Sequence, residues 1–458
     1  MATEPNNAID VSAVVEQFAT VSGNFDDLEF LNIGGVLEVP KTVPSVTTIR
    51  IEVPGVTSLE LASVLIEADG LADPVAQSTV RASKAASPEF AKVLRSKRLL
   101  DPERAQGPDS ELGICTQQQD RPSVSIVFDQ PVDLHKITIR NRHDHDAIRA
   151  RGIQVQVRTV DGWWTTIYDG LSRERELVRD VQQHFSGRLL SRRLRETARR
   201  RFGRPAAPEP VPQLGDLVRV LTSIQLRDEA KVIFRDLDRI GLSAEQVSEF
   251  RYLVSEKIVS RRQQEWNIHG IKRSFRFWSE REKDEYLGFA VDVIDCLREL
   301  NENVCFGFGS VLSVVRDHEL IPHDDDLDVI IAFEPEQAAT LAEGRALIKH
   351  CLEAKGFVVT GNFTSYHWVF RPDGRGQKLD AFAGIWEGDK IAWYPGKRGM
   401  LTRDMLFPVE HRPLLGRDCA IPRQPETYLE QIYGPDWQTP NPHFRHTWRR
   451  AEYADLLE

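Results

Sequence analysis

The run Asp324-Asp325-Asp326-Leu327-Asp328 leads without a break into Val329-Ile330-Ile331-Ala332-Phe333. A β-branched apolar run of this length predicts a strand over 327–333. Side chains at i and i+2 of a strand share a face, so Asp326 and Asp328 point the same way. Asp324 joins them if the chain is extended there, while Leu327, Val329 and Ile331 face a core. Carboxylates gathered on one side repel each other unless a cation neutralises them. Mg²⁺ or Mn²⁺ is the natural partner of an all-oxygen site.

Two further segments complete the pattern. Asp380, in Lys378-Leu379-Asp380-Ala381-Phe382, lies between apolar neighbours on a predicted strand and is the candidate for a third carboxylate. The metal ligands expected are thus Asp326, Asp328 and Asp380, with Asp324 as a further catalytic candidate. Upstream, a short strand at 304–306 passes through Gly307-Phe308-Gly309-Ser310 into a helical run over 311–316. Small residues at such a turn let backbone N–H groups approach a phosphate. Gly309, Ser310 and Arg316 are the candidate donor-phosphate contacts. His323 and His367 are further candidates, His367 as a base, although a strand histidine is as often structural. An acidic run alone is usually a solvated loop. A calcium loop is excluded because Val329 stands where its sharp turn requires glycine. The Gly307-x-Gly309 pair lacks the third glycine of a dinucleotide site.

The chain has 458 residues, which favours several domains. Residues 1–20 read as a weakly specified, flexible N-terminus. Short alternating segments over 21–171, such as Ser123–Phe128, Lys136–Arg140 and Ile153–Arg158, predict a β-sandwich. Residues 172–284 read as helical, interrupted by a Pro-rich connector at 203–212. Residues 285–458 read as α/β, with a helix over 285–300, a second helix over 334–355 and a hairpin turn at Asp373-Gly374. The net charge of −10 argues against a nucleic-acid-coating protein. The beginning of the chain lacks the features of a secretory signal. Five scattered cysteines do not suggest a disulfide framework, so a cytoplasmic setting is expected.

Gly309-Ser310, Arg316 and Ile321-Pro-His-Asp-Asp-Asp-Leu-Asp-Val329 together resemble the LicD family, which includes phosphocholine transferases and fukutin-type ribitol-phosphate transferases. Phe407-Pro408, Ile421-Pro422, Tyr428-Leu429 and Tyr433-Gly434-Pro-Asp-Trp437 resemble its closing motif. His323 departs from the family's tryptophan. The resemblance covers 286–442. It implies a nucleotidyltransferase-fold domain that moves a phospho-alditol or phosphocholine group from a CDP-linked donor to a sugar hydroxyl of a glycan, releasing CMP. By position it implies Asp326, Asp328 and Asp380 as metal ligands and Gly309 and Ser310 as the phosphate turn. Asp328 or Asp324 is then the candidate base. Residues 122–168, with Asn141-Arg142, Arg149 and Arg151-Gly-Ile-Gln-Val155, resemble a discoidin or galactose-binding jelly roll. In such a domain Trp163 and Trp164 are candidate sugar-stacking residues, although one tryptophan after an Asp-Gly turn is more often core.

Two other functions fit the same sequence. One is a nucleotidyltransferase that moves a nucleoside monophosphate to a small molecule or protein. The other is a glycan-binding scaffold with an inactive transferase domain. The arginine-rich segment 188–204, interrupted by leucines, reads either as a solvated helix or as peripheral contact with the inner face of a membrane, where a lipid-linked acceptor would lie.

Overall fold

The computed structural model describes residues 9–23, 29–101, 112–143, 145–181, 183–185, 214–226, 240–267, 269–372, 377–441, 444 and 450–457. The chain divides into two units, Met1–Trp266 and Asn267–Glu458. The segment 188–204, the connector 203–212 and the Asp373-Gly374 turn lie outside the described residues.

Residues expected to be flexible form helix α1, Val11–Gly23, with Val11, Val14, Val15 and Phe18 buried. Their spacing is that of one helical face. Seven antiparallel strands follow: β1 Val36–Glu52, β2 Glu60–Asp69, β3 Ser78–Ala82, β4 Ile114–Cys115, β5 Ser123–Asn141, β6 Gln154–Thr159 and β7 Trp164–Asp169. Their order is β4-β2-β5-β1-β6-β7, with β3 also on β5. The expected β-sandwich therefore takes the form of one continuously hydrogen-bonded sheet. The segments read as separate strands at 123–128 and 136–140 are one strand, β5. The β1–β5 register shifts between Pro40 and Thr48, where the ladder is irregular. Helices α2, Leu214–Gln225, and α3, Ala244–Val254, belong to the helical section.

Trp163 is 77% exposed and Trp164 43% exposed, so neither is the core tryptophan that the Asp-Gly turn suggested. Arg142 and Arg149 pair with Glu60 and Asp146. Among the described residues no helix is long and apolar enough to cross a membrane. The five cysteines are free.

The second unit has a mixed sheet. Its strands are β8 Val304–Gly307, β9 Asp328–Phe333, β10 Val358–Thr360, β11 Tyr366–Phe370, β12 Leu379–Glu387 and β13 Lys390–Ala392. The order is β8-β9-β12-β11-β10, with β13 on the far half of β12. Only β9 and β12 run parallel among these pairs. Both are buried along almost their whole length. Helix α4, Glu280–Leu297, starts at a capping box of Ser279 and Glu282. The turn after β8 enters a short helix, α5 Phe308–Leu312. The helix expected over 334–355 begins later, as α6 Leu341–Ala354, because Thr340 caps it by accepting from the Glu343 N–H. A hairpin, β14 Glu410–Leu414 with β15 Arg417–Ile421, and helix α7, Pro425–Tyr433, close the unit.

Candidate active site

The parallel pairing of β9 and β12 decides where the carboxylates meet. Asp328 lies opposite Asp380 in register, at the start of both strands. Gly307, the last residue of β8, lies opposite Asp328 from the other side. The Gly-Ser turn and the two aspartates are therefore at the same end of the sheet.

Four hydrogen bonds fix that end. The Asp328 N–H donates to Ser310 Oγ at 2.7 Å, which ties the turn to the acidic strand. The Phe308 N–H donates to the Tyr428 hydroxyl at 2.8 Å, so α7 holds the turn from behind. The Tyr286 hydroxyl of α4 accepts from the Leu327 N–H at 3.0 Å and donates to the Lys378 carbonyl at 2.5 Å. It thus joins the entrances of β9 and β12. Gly309 lies close under Asp324: a Cβ there would sit 2.9 Å from Asp324 Oδ2. The Asp324 carboxylate lies directly over the turn.

The aspartates of the run separate into two sets. Asp325 is fully buried and accepts from Asn267 Nδ2 at 2.7 Å and Lys272 Nζ at 2.9 Å, with His269 Nδ1 at 2.8 Å. These donors hold its carboxyl far below the usual range against the cost of burial. Burial opposes charge on His269, but Asp325 and the neighbouring aspartates raise its pKa to about 9. Asp324, Asp326, Asp328 and Asp380 form the other set. Lys378 Nζ bridges Asp326 Oδ2 at 2.6 Å and Asp380 Oδ1 at 2.8 Å. Burial, then Asp326, pushes the Asp324 and Asp380 carboxyls up to about 7. Burial, then Asp326 and Asp380, pushes Asp328 well above the usual range.

This set is hard, all-oxygen and short of positive charge, which fits a divalent cation. Ligand atoms of His269, Asp324, Asp325 and Asp326 also lie within 4.8 Å of one another, close enough to share an ion.

The remaining candidates stand apart. His367 is buried and lies opposite Ala381, whereas its neighbour Trp368 lies opposite Asp380. Strand alternation therefore turns His367 away from the carboxylates, and its Nδ1 is 2.8 Å from the Gly361 carbonyl. The register thus places it outside this cluster. His323 is exposed. Arg316 donates twice to Asp317 and once to the Trp437 carbonyl, which occupies three of its five N–H groups. Sequence reasoning missed Asn267, His269, Lys272, Tyr286 and Lys378. Of these only Lys378 carried a local signal, two residues before Asp380 on the same strand face.

Residues 302–424 match the model of the LicD/FKTN/FKRP nucleotidyltransferase domain. Over that segment the chain carries a LicD-type domain, which points to a transferase. Two solved structures are similar over part of the chain. A crystal structure of ANT(2″)-Ia in complex with adenylyl-2″-tobramycin shares 15% identity, with 37% of this chain and 86% of that chain covered and a TM-score of 0.24. A solution structure of the antibiotic-resistance factor ANT(2″)-Ia shares 14% identity, with 37% and 82% covered and a TM-score of 0.25. No curated protein matches the sequence.

Proposed function

We propose that the second unit is a metal-dependent phosphotransferase with a nucleotidyltransferase fold, which moves a phospho-alditol or phosphocholine group from a CDP-linked donor to a sugar hydroxyl of a surface glycan. The observation that carries this reading is the register pairing of Asp328 with Asp380, beside Asp326 and the Gly309-Ser310 turn, within the family match. In this reading Asp326, Asp328 and Asp380 hold Mg²⁺ or Mn²⁺. The ion supplies charge neutralisation for the donor diphosphate and the departing CMP. Gly309 leaves backbone open to a phosphate oxygen, and the Ser310 hydroxyl, fixed by the Asp328 N–H, can donate to one. Asp324, over the turn, takes the proton from the acceptor hydroxyl. A new O–P bond then forms as the P–O bond to CMP breaks.

The exposed Trp163 and Trp164 support a glycan-binding role for a galactose-binding-like first unit. The setting proposed is the cytoplasm, with a lipid-linked glycan as one acceptor class.

The test is a panel of CDP-choline, CDP-ribitol and CDP-glycerol with candidate glycan acceptors and Mg²⁺ or Mn²⁺, assayed for CMP. The expected result is acceptor-dependent, EDTA-sensitive release from one donor. Release of pyrophosphate from nucleoside triphosphates instead, with no CMP from any donor, overturns the reading in favour of nucleotidyl transfer.

A further inference from the structure

We propose that the Lys378 ammonium is a built-in cation of the acidic site: it fills the position between Asp326 and Asp380 that a second divalent ion would take, so each chain binds one Mg²⁺ or Mn²⁺. The inference rests on the metal-dependent reading above. Its basis is the way Lys378 is held. Its ammonium lies 2.6 Å from Asp326 Oδ2 and 2.8 Å from Asp380 Oδ1, bridging carboxylates that come from two different segments. That is the position of a bridging cation, and the side chain is only 13% exposed. The Lys378 carbonyl accepts from the buried Tyr286 hydroxyl, which fixes the backbone that carries the lysine. The ring of Trp368, whose partner across the ladder is Asp380, lies 5.6 Å from the ammonium and adds a favourable face for a cation. A lysine with two ionic bonds, a fixed main chain and an aromatic neighbour is preorganised for this place.

Charge and space then limit what else can bind. The site has four carboxylates, Asp324, Asp326, Asp328 and Asp380, whereas Asp325 is already matched by Lys272, His269 and Asn267. A divalent ion sharing Asp326 Oδ2 and Asp380 Oδ1 would have to sit at the ammonium itself. With Lys378 in place, the ion is left with Asp328 and the oxygens of Asp326 and Asp380 that the ammonium does not use. A single divalent ion there, with the lysine, brings three positive charges to four negative ones, and the anionic donor does not meet a surplus of cations. The lysine charge also does not exchange with solvent, so the Asp326–Asp380 edge stays neutralised between turnovers.

The experiment is Mn²⁺ binding to the full chain, followed by electron paramagnetic resonance of the free ion and by the melting temperature with and without Mn²⁺. The wild-type chain is expected to take one Mn²⁺. Lys378→Met and Lys378→Gln are expected to take two, to melt at a lower temperature than wild type without metal, and to gain more from Mn²⁺. Lys378→Arg keeps the charge and is expected to stay at one. Two ions on the wild-type chain, or unchanged stoichiometry in folded Lys378→Met and Lys378→Gln, overturns the inference and leaves the proposed reaction standing. No Mn²⁺ on any of the four proteins overturns the metal reading and this inference together. Failure of every CDP donor to release CMP overturns the reaction alone, because the stoichiometries do not depend on the donor.

Discussion

The hydroxyl of Tyr286 is the smallest group whose removal should be felt throughout the candidate site. Tyr286→Phe keeps the ring, which packs among Phe275, Trp278 and Phe289, so little apolar burial is lost. The change instead removes two hydrogen bonds, from the Leu327 N–H and to the Lys378 carbonyl. A buried N–H left without a partner costs about 1–3 kcal/mol, and the carbonyl bond adds about 1 kcal/mol. The total is about 2–4 kcal/mol. For a unit of the size of Asn267–Glu458, each kcal/mol moves the melting midpoint by about 2–4 °C. Calorimetry should therefore show the midpoint of this unit falling by about 4–16 °C. Hydrogen exchange at the Leu327 amide should accelerate in parallel. Because the bridge sets the spacing between the segments bearing Asp326 and Asp380, kcat should fall about tenfold or more with a smaller change in KM. A variant that melts within about 1 °C of wild type and keeps its Leu327 amide protected would refute the argument that this hydroxyl joins the two strand entrances.

Other substitutions probe the site from different sides. Asp326→Asn and Asp328→Asn should each lower turnover by about 10²–10³-fold or more in the CMP-release assay; near-normal rates would remove these residues from the chemistry. Gly309→Ala places a methyl group 2.9 Å from Asp324 Oδ2. The carboxylate can swing aside, so stability should change by less than about 1 kcal/mol, while kcat falls about tenfold or more as Asp324 is displaced; wild-type kinetics would show that Asp324 need not stay over the turn. Glu282 gives a test by pH. Burial favours its protonation, but Arg273 and the Ser279 N–H hold its carboxyl at about 2, below the unfolded value of 4.5. Its contribution is present in full above pH 4.5 and is lost as pH falls towards 2. Glu282 is 41% exposed, so solvent screening limits the effect to less than about 1 kcal/mol. Glu282→Gln should flatten that part of the stability profile, and an unchanged acid slope would count against the Arg273 pair.

Much of the site could be read from period-two alternation alone. Asp326 and Asp328 were legible because an apolar run follows them, and Asp380 because Leu379 and Ala381 flank it. Their pairing was not legible, because the Asp328–Asp380 register depends on two strands about fifty positions apart. Tyr286 read as one more apolar residue on a helical face, since nothing local says which backbone groups its hydroxyl will meet. Asn267, His269 and Lys272 lie well before the acidic run, and only the tertiary fold brings them to Asp325. The fold shows the same division. Helix α1 was legible in Val11, Val14, Val15 and Phe18 but was obscured by its position near the chain start. The helix expected over 334–355 starts only at Leu341, because the Thr340 cap on the Glu343 N–H fixes its first turn. The exposure of Trp163 is a property of the β6–β7 turn that composition cannot predict.

Asp325 shows why the acidic run cannot be treated as one group. A carboxylate fully buried among three donors is satisfied within the protein without an added ion. Its neighbours face a different environment, in which burial and mutual repulsion raise the pKa of Asp324, Asp328 and Asp380. The difference follows from local geometry. Asp328 is held in the sheet register and Asp324 is placed over Gly309, while Asp325 is taken up by the donors at residues 267–272. Asp325 thus anchors the segment ahead of α4 to the start of β9, and the members of the other set are left short of positive charge. Structure and chemistry are in this way divided among adjacent residues of identical type, and the donors each carboxylate meets decide between the two.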